Sequence, residues 1–184
     1  MSTIGSIQYK YYSGGFGNWT TPGVDDYQYC GSNYGIAYKF SVSGIPAGFK
    51  ISQLKITGSQ LATHNLRADL RTTNPTNNSF YSVGSGGTIA TKTMSASTSI
   101  SITLSDFEIT SAGTYYLFLK STENHSDVML PSLTITATDT ANGTVRIFTS
   151  STESGMYIPY VYDSGAWHQR IPYVYDGGWK ICGG

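Results

Sequence analysis

The sequence predicts an all-β protein: an antiparallel β-sandwich of jelly-roll-like type, followed by a small carboxyl-terminal region of tandem β-hairpins. Three observations carry this expectation. Charged residues make up only 12% of the 184 residues, and Gly (21), Tyr (15) and many Ser and Thr stand in their place; that is about half the ordinary charged share. About eight or nine short segments alternate apolar with polar residues, the period of a half-buried strand. No segment carries the apolar stripe of an amphipathic helix. A β-barrel built from the same strands is the alternative.

Taken in order, Ile7 to Tyr12 form a short opening segment, and Ser13 to Gly35, with Trp19, Pro22 and Cys30, read as a long loop. Ile36, Tyr38, Phe40 and Val42 alternate with Ala37, Lys39 and Ser41 as a strand, and Gly44 to Gly48 turn the chain. From Phe49 to Thr57 the apolar positions are Phe49 and Ile51, then Leu54 and Ile56, so a β-bulge is expected between Ser52 and Gln53. Leu66, Ala68 and Leu70 oppose Arg67, Asp69 and Arg71; the charged side is expected in solvent, where it discourages edge pairing. Thr72 to Gly87 is a polar loop, and Ile89 to Met94 and Ile100 to Leu104 resume the alternation.

Asp106 to Ile109 is expected to hold a short helical turn or a bend. Thr114 to Lys120 is apolar on both faces through Tyr115, Tyr116, Leu117, Phe118 and Leu119, as a central strand requires. Leu133, Ile135 and Ala137 make the next strand, and Val145, Ile147 and Phe148 follow the hairpin signal Asn142-Gly143. The sandwich is expected over residues 1–150 and the hairpin region over 151–184.

That last region repeats itself. Ile158-Pro159-Tyr160-Val161-Tyr162-Asp163 recurs as Ile171-Pro172-Tyr173-Val174-Tyr175-Asp176, an offset of 171 − 158 = 13 residues, and each copy runs through Gly to a Trp, Trp167 or Trp179. Each unit reads as a Tyr-Val-Tyr strand, a Gly turn and a strand beginning at Trp. The first linker is one residue longer, so a three-residue turn with a bulge is expected there and a two-residue turn at Gly177-Gly178. Two such hairpins hold too few residues to bury a core of their own. Tyr160, Tyr162, Trp167, Tyr173, Tyr175 and Trp179 are therefore candidates for a protein interface, with packing in cis and sugar stacking as the alternatives.

Several chemistries find no footing. Eleven acidic residues balance eleven basic ones, leaving no field to attract nucleic acid. The longest apolar run, Tyr115 to Leu119, is far below the roughly 18 residues of a membrane span, so no membrane insertion is expected. Met1 to Lys10 lacks the pattern of a secretory signal. Cys30 and Cys182 have no metal or redox spacing; free thiols are expected, with a disulfide joining the long loop to the tail as the alternative. His64, His125 and His168 lie in separate segments, so neither a metal nor a cofactor is implied. No nucleophile elbow, phosphate loop or dinucleotide fingerprint occurs. Asp25-Asp26 with Asp106 or Glu108 could supply a carboxylate pair, but loop acids are ordinarily solvated, and an enzyme is not expected.

The carboxyl-terminal units, Pro159 to Trp167 and Pro172 to Trp179, resemble the tandem Pro-Tyr-x-Tyr-(Asn/Asp)-Gly-x-Trp units that end many bacteriophage and prophage virion proteins, especially minor tail and appendage proteins. The sandwich with Gly113-Thr114-Tyr115-Tyr116-Leu117 is similar in style to those that precede such tails. This chain departs from them in carrying Asp163 and Asp176 where Asn is usual, and in its shortened second loop. The resemblance implies a non-enzymatic structural or adhesive component of the virion, in a tail appendage or as a capsid-surface decoration. It implies assembly in the bacterial host cytoplasm, with other virion proteins and copies of the same chain as partners and host-surface glycans as a further one. A carbohydrate-binding module is the rival. In it Trp19, Tyr27, Tyr29 and Tyr34 of the long loop would stack on sugar rings, while Asp25, Asp26 and Asn33 bond hydroxyls.

Overall fold

A computed structural model describes residues 2–23, 33–59, 64–123 and 133–140 in full, together with the backbone of short strands at 28–29, 128–129, 141, 160–163, 166–169, 173–175 and 179–181. The chain divides into two compact units, Met1–Thr140 and Ala141–Gly184.

The first unit is built from β1 (Thr3–Ile4), β2 (Gln8–Ser13), β3 (Gln28–Tyr29), β4 (Tyr34–Ser43), β5 (Phe49–Ser59), β6 (Leu66–Arg71), β7 (Thr88–Met94), β8 (Ser99–Leu104), β9 (Gly113–Ser121), β10 (Val128–Met129) and β11 (Thr134–Ala141). A six-stranded sheet runs β1-β4-β9-β6-β7, with β2 also pairing β4, and a three-stranded sheet runs β11-β5-β8. From β4 onward the chain passes to the small sheet at β5, back for β6 and β7, across again at β8, back at β9 and across at β11. That alternation between two antiparallel sheets is the expected sandwich, with a jelly-roll course.

Both sheets contribute to one core. Ile36, Tyr38, Phe40 and Val42 of β4, Leu66, Ala68 and Leu70 of β6, and Leu117 and Leu119 of β9 meet Leu54 and Ile56 of β5 and Ile100, Ile102 and Leu104 of β8. On β8 the alternation is clean: Ser99, Ser101 and Thr103 are exposed. The strand apolar on both faces, β9, lies between β4 and β6, and Phe118 is buried on the side away from Leu117 and Leu119.

One local expectation holds and two are corrected. Ile51 and Leu54 of β5 both lie in the core although they are three positions apart, the slip of phase expected between Ser52 and Gln53, and the ladder is irregular at the same place: Ile51 bridges Ile109 while Leu54 pairs Leu104, so 109 − 104 = 5 steps on one side answer 54 − 51 = 3 on the other. The surplus is absorbed at a bend where Asp106 takes φ 63°, a conformation open to Asp because its short side chain tolerates it. The segment 13–35 is only partly a loop. Phe16 and Thr20 form bridges to Tyr12 and Tyr9, so the chain folds back along the outer side of β2. Finally, β6 is no edge, since it pairs with both β7 and β9, and its charged face is covered. The Asn142-Gly143 hairpin, the strand Val145 to Phe148 and both cysteines lie outside the described residues.

The second unit contains two antiparallel hairpins, β12 (Tyr160–Asp163) with β13 (Ala166–Gln169), and β14 (Tyr173–Tyr175) with β15 (Trp179–Ile181).

Candidate functional site

Register across the large sheet sets out the face turned away from the core. One row runs Lys10, Ala37, Phe118, Asp69, Thr91, and the next runs Gln8, Lys39, Tyr116, Arg71, Thr88. A third places Lys120 beside Arg67 and Thr93. Directly paired residues share a face, so five cations and one acid converge here with two rings of β9.

Solvent was the expected environment for Arg67, Asp69 and Arg71, yet Asp69 is 0% and Arg71 1% exposed. The loop 72–87 lies over them. An irregular segment must find donors for its carbonyls, and this sheet face supplies them. Arg71 donates to the Ser79 carbonyl at 2.8 Å, Arg67 to that of Tyr81 and Lys120 to that of Asn78 at 3.0 Å. Lys10 donates to Asn74 Oδ1 at 2.7 Å and to the Pro75 carbonyl at 2.6 Å. The Asp69 carboxylate accepts from Arg67 Nε at 2.7 Å, Arg71 Nη2 at 3.2 Å and the Tyr81 backbone N–H at 3.1 Å.

Aromatic rings complete the layer. Arg67 lies over Phe80 at 4.6 Å, and Arg71 lies over Tyr81 at 4.4 Å and Phe118 at 4.8 Å. Phe118 meets Phe80 and Phe16 edge-on, at 5.9 and 6.4 Å. Gly35 is required beneath this stack, because a Cβ there would stand 2.7 Å from the Phe118 ring. Burial pushes Arg71 below its ordinary value, against the opposing pull of Asp69. Sequence reasoning missed this layer; the available signal was Phe80-Tyr81 set in an otherwise polar loop.

Burial, and then the nearby charge of Lys39, also lowers Lys10 below its ordinary value of 10.5. Between the lowered folded value and 10.5 the unfolded chain binds more protons, so Lys10 makes stability rise as pH climbs through that window. In Lys10→Met this part of the rise should vanish. Denaturant midpoints of the two proteins from neutral to alkaline pH measure the difference.

Among the described residues, the rings of Trp19 and Tyr34 are not gathered at one place. Trp19 lies on the outer face, 5.9 Å from Tyr116, with Lys10 and Lys39 each 4.8 Å from its ring. Tyr34 pairs with Ser13 two residues before Ile36, on the core-side row of β4, and stacks on Tyr11 at 6.0 Å. The two rings of the set thus stand on opposite faces of the sheet. Asn33 is exposed just before β4, Tyr29 pairs with Val128 in β3, and Asp25, Asp26 and Tyr27 lie outside the described residues. Glu108 pairs with Lys50.

In the second unit, Tyr162 stands opposite Trp167 and Tyr175 opposite Trp179. Tyr160, Tyr162 and Trp167 therefore share one face of their ribbon, and Tyr173, Tyr175 and Trp179 share one face of theirs. The loop lengths are the reverse of those expected. Asp163 pairs with Ala166, leaving two loop residues, whereas Tyr175 pairs with Trp179, leaving three. The first unit adds one ladder pair, Asp163 with Ala166, and has a turn one residue shorter, so its one extra residue leaves each Trp opposite the second Tyr. A one-residue slip would have moved it to the Val face.

Neither a protein-family model nor a curated protein nor a solved structure matches this chain.

Proposed function

We propose that this chain is a non-enzymatic structural or accessory component of a bacteriophage virion, in a tail appendage or as a capsid-surface decoration. It attaches to neighbouring virion proteins and to copies of itself through its two aromatic hairpins. The observation that carries the reading is the common register: two linkers of different length place two Tyr and one Trp on one ribbon face in both copies. A two-stranded ribbon of this size is marginal alone in water, so its aromatic face calls for a covering surface. Tyr and Trp are the side chains that concentrate binding energy at such surfaces.

The test is incorporation into particles. Trp167→Ala and Trp179→Ala should each weaken attachment by about 2 kcal/mol or more, close to thirtyfold, because truncating a large ring in a desolvated pocket typically costs that much. The melting transition of the sandwich should stay unchanged. If both variants melt lower while their folded fraction enters particles at normal copy number, the rings pack in cis and the attachment reading fails.

A further inference from the structure

The outer face of the large sheet carries two ammonium groups with no carboxylate partner among the described residues. Lys10 is buried and its hydrogen bonds go to uncharged acceptors, Asn74 Oδ1 and the Pro75 carbonyl. Lys39 is half-buried and lies over the Trp19 ring. Asp69, the acid of this face, is occupied by Arg67, Arg71 and the Tyr81 N–H. Like charges held close together repel, which is one cause of the lowered Lys10 value. Beside them Trp19 and Tyr116 are both half-buried, with planes inclined by 37°, so aromatic surface remains open next to positive charge that no carboxylate among the described residues pairs.

We propose that Trp19, Tyr116, Lys39 and Lys10 form a binding site for a carboxylate-bearing pyranose, a hexuronate unit of an acidic glycan. The apolar C–H face of the sugar lies on the exposed ring surface, as in sugar sites built on aromatic side chains. Its carboxylate accepts a charge-assisted hydrogen bond from Lys39 Nζ and offsets the charge of Lys10 behind it. A neutral sugar leaves the two cations unanswered, and a carboxylate without a ring has nothing to stack. The site retains Trp19 from the long loop, takes its charges from β2 and β4 and its second ring from β9, and excludes Tyr34, which stands on the opposite face. It does not depend on the hairpins.

The experiment follows the indole N–H resonances of the full chain by nuclear magnetic resonance, with the Trp19 signal assigned through Trp19→Phe. Methyl β-glucuronide, methyl β-glucoside and acetate are titrated in separate arms. The glucuronide should shift the Trp19 signal saturably in the millimolar range, and the other two should bind about tenfold more weakly or less, the factor that one lost charged contact of about 1.4 kcal/mol produces. Lys39→Gln should lose about tenfold in glucuronide affinity, and Lys39→Arg should retain most of it. Dispersed spectra of both variants report an intact fold, as expected for a half-exposed position. The proposal is overturned by an unmoved Trp19 signal, by equal affinity for the glucoside, or by unchanged affinity in Lys39→Gln. It also fails if acetate binds as strongly as the glucuronide, which leaves a plain anion site, or if Lys39→Arg loses as much as Lys39→Gln.

Discussion

Replacing Asp69 by Ala should destabilise the sandwich by about 3–5 kcal/mol, the range seen when one partner of a buried ion pair is removed. The carboxylate is 0% exposed and accepts from two guanidinium groups and one backbone N–H. Its loss leaves Arg71, itself 1% exposed, charged and without its anion. The Tyr81 N–H loses its acceptor in the same step, so the loop 72–87 should loosen ahead of the core. Amide exchange faster in that loop than in β8, together with a lower urea midpoint, is the expected pair of results. A cost under about 1 kcal/mol, the range of exposed ion pairs, would show that the triad is solvated after all.

Phe118→Ala should cost about 3–5 kcal/mol, the usual range for deleting a fully buried ring. Phe118 is 0% exposed although it projects from the sheet face opposite the core. It carries Phe16, Phe80 and the Arg71 guanidinium, so one truncation undermines both segments that cover this face. Gly35 supplies an independent check. Gly35→Ala alone should cost about 1–3 kcal/mol, because the new Cβ overlaps the Phe118 ring and the Asn78 side chain. In a Phe118→Ala background the share of that cost owed to the ring should disappear while the overlap with Asn78 stays, a coupling within the 0.5–3 kcal/mol range typical of residues in contact. Additive costs in thermal or urea unfolding would mean that the two residues do not meet.

Readability of this fold from its residues varied with what each pattern depends on. The alternation on β4 and β8, and the two-sided apolar run of β9, were legible because a strand between a core and anything else must sort its side chains by period. The same alternation on β6 showed that two faces differ but not what covers the second one. Arg67, Asp69 and Arg71 read as a solvated face in isolation and are a buried one only because a polar loop distant from Lys10 and Lys120 in sequence folds over all of them.

The candidate sites divide in the same way. The verbatim repeat identified the six aromatic residues of the hairpins directly, since identity at a fixed offset needs no tertiary information. Which turn is the shorter was decided by pairing, because the first unit adds the pair Asp163 with Ala166 to its ladder and shortens its turn by one residue, which holds each Trp opposite the second Tyr. For the long loop, composition showed only that Trp19 and Tyr34 are aromatic. The pairing of β2 with β4 and the fold-back of Phe16 to Thr20 set Trp19 beside Lys10, Lys39 and Tyr116 and sent Tyr34 to the other face. By itself the sequence determined the fold class, the strands with one clearly apolar face and the repeat, all properties of local pattern. The covered cation–aromatic face and the partners of Trp19 were decided by tertiary structure alone, because they depend on which distant segments share a register, and no local pattern encodes that pairing.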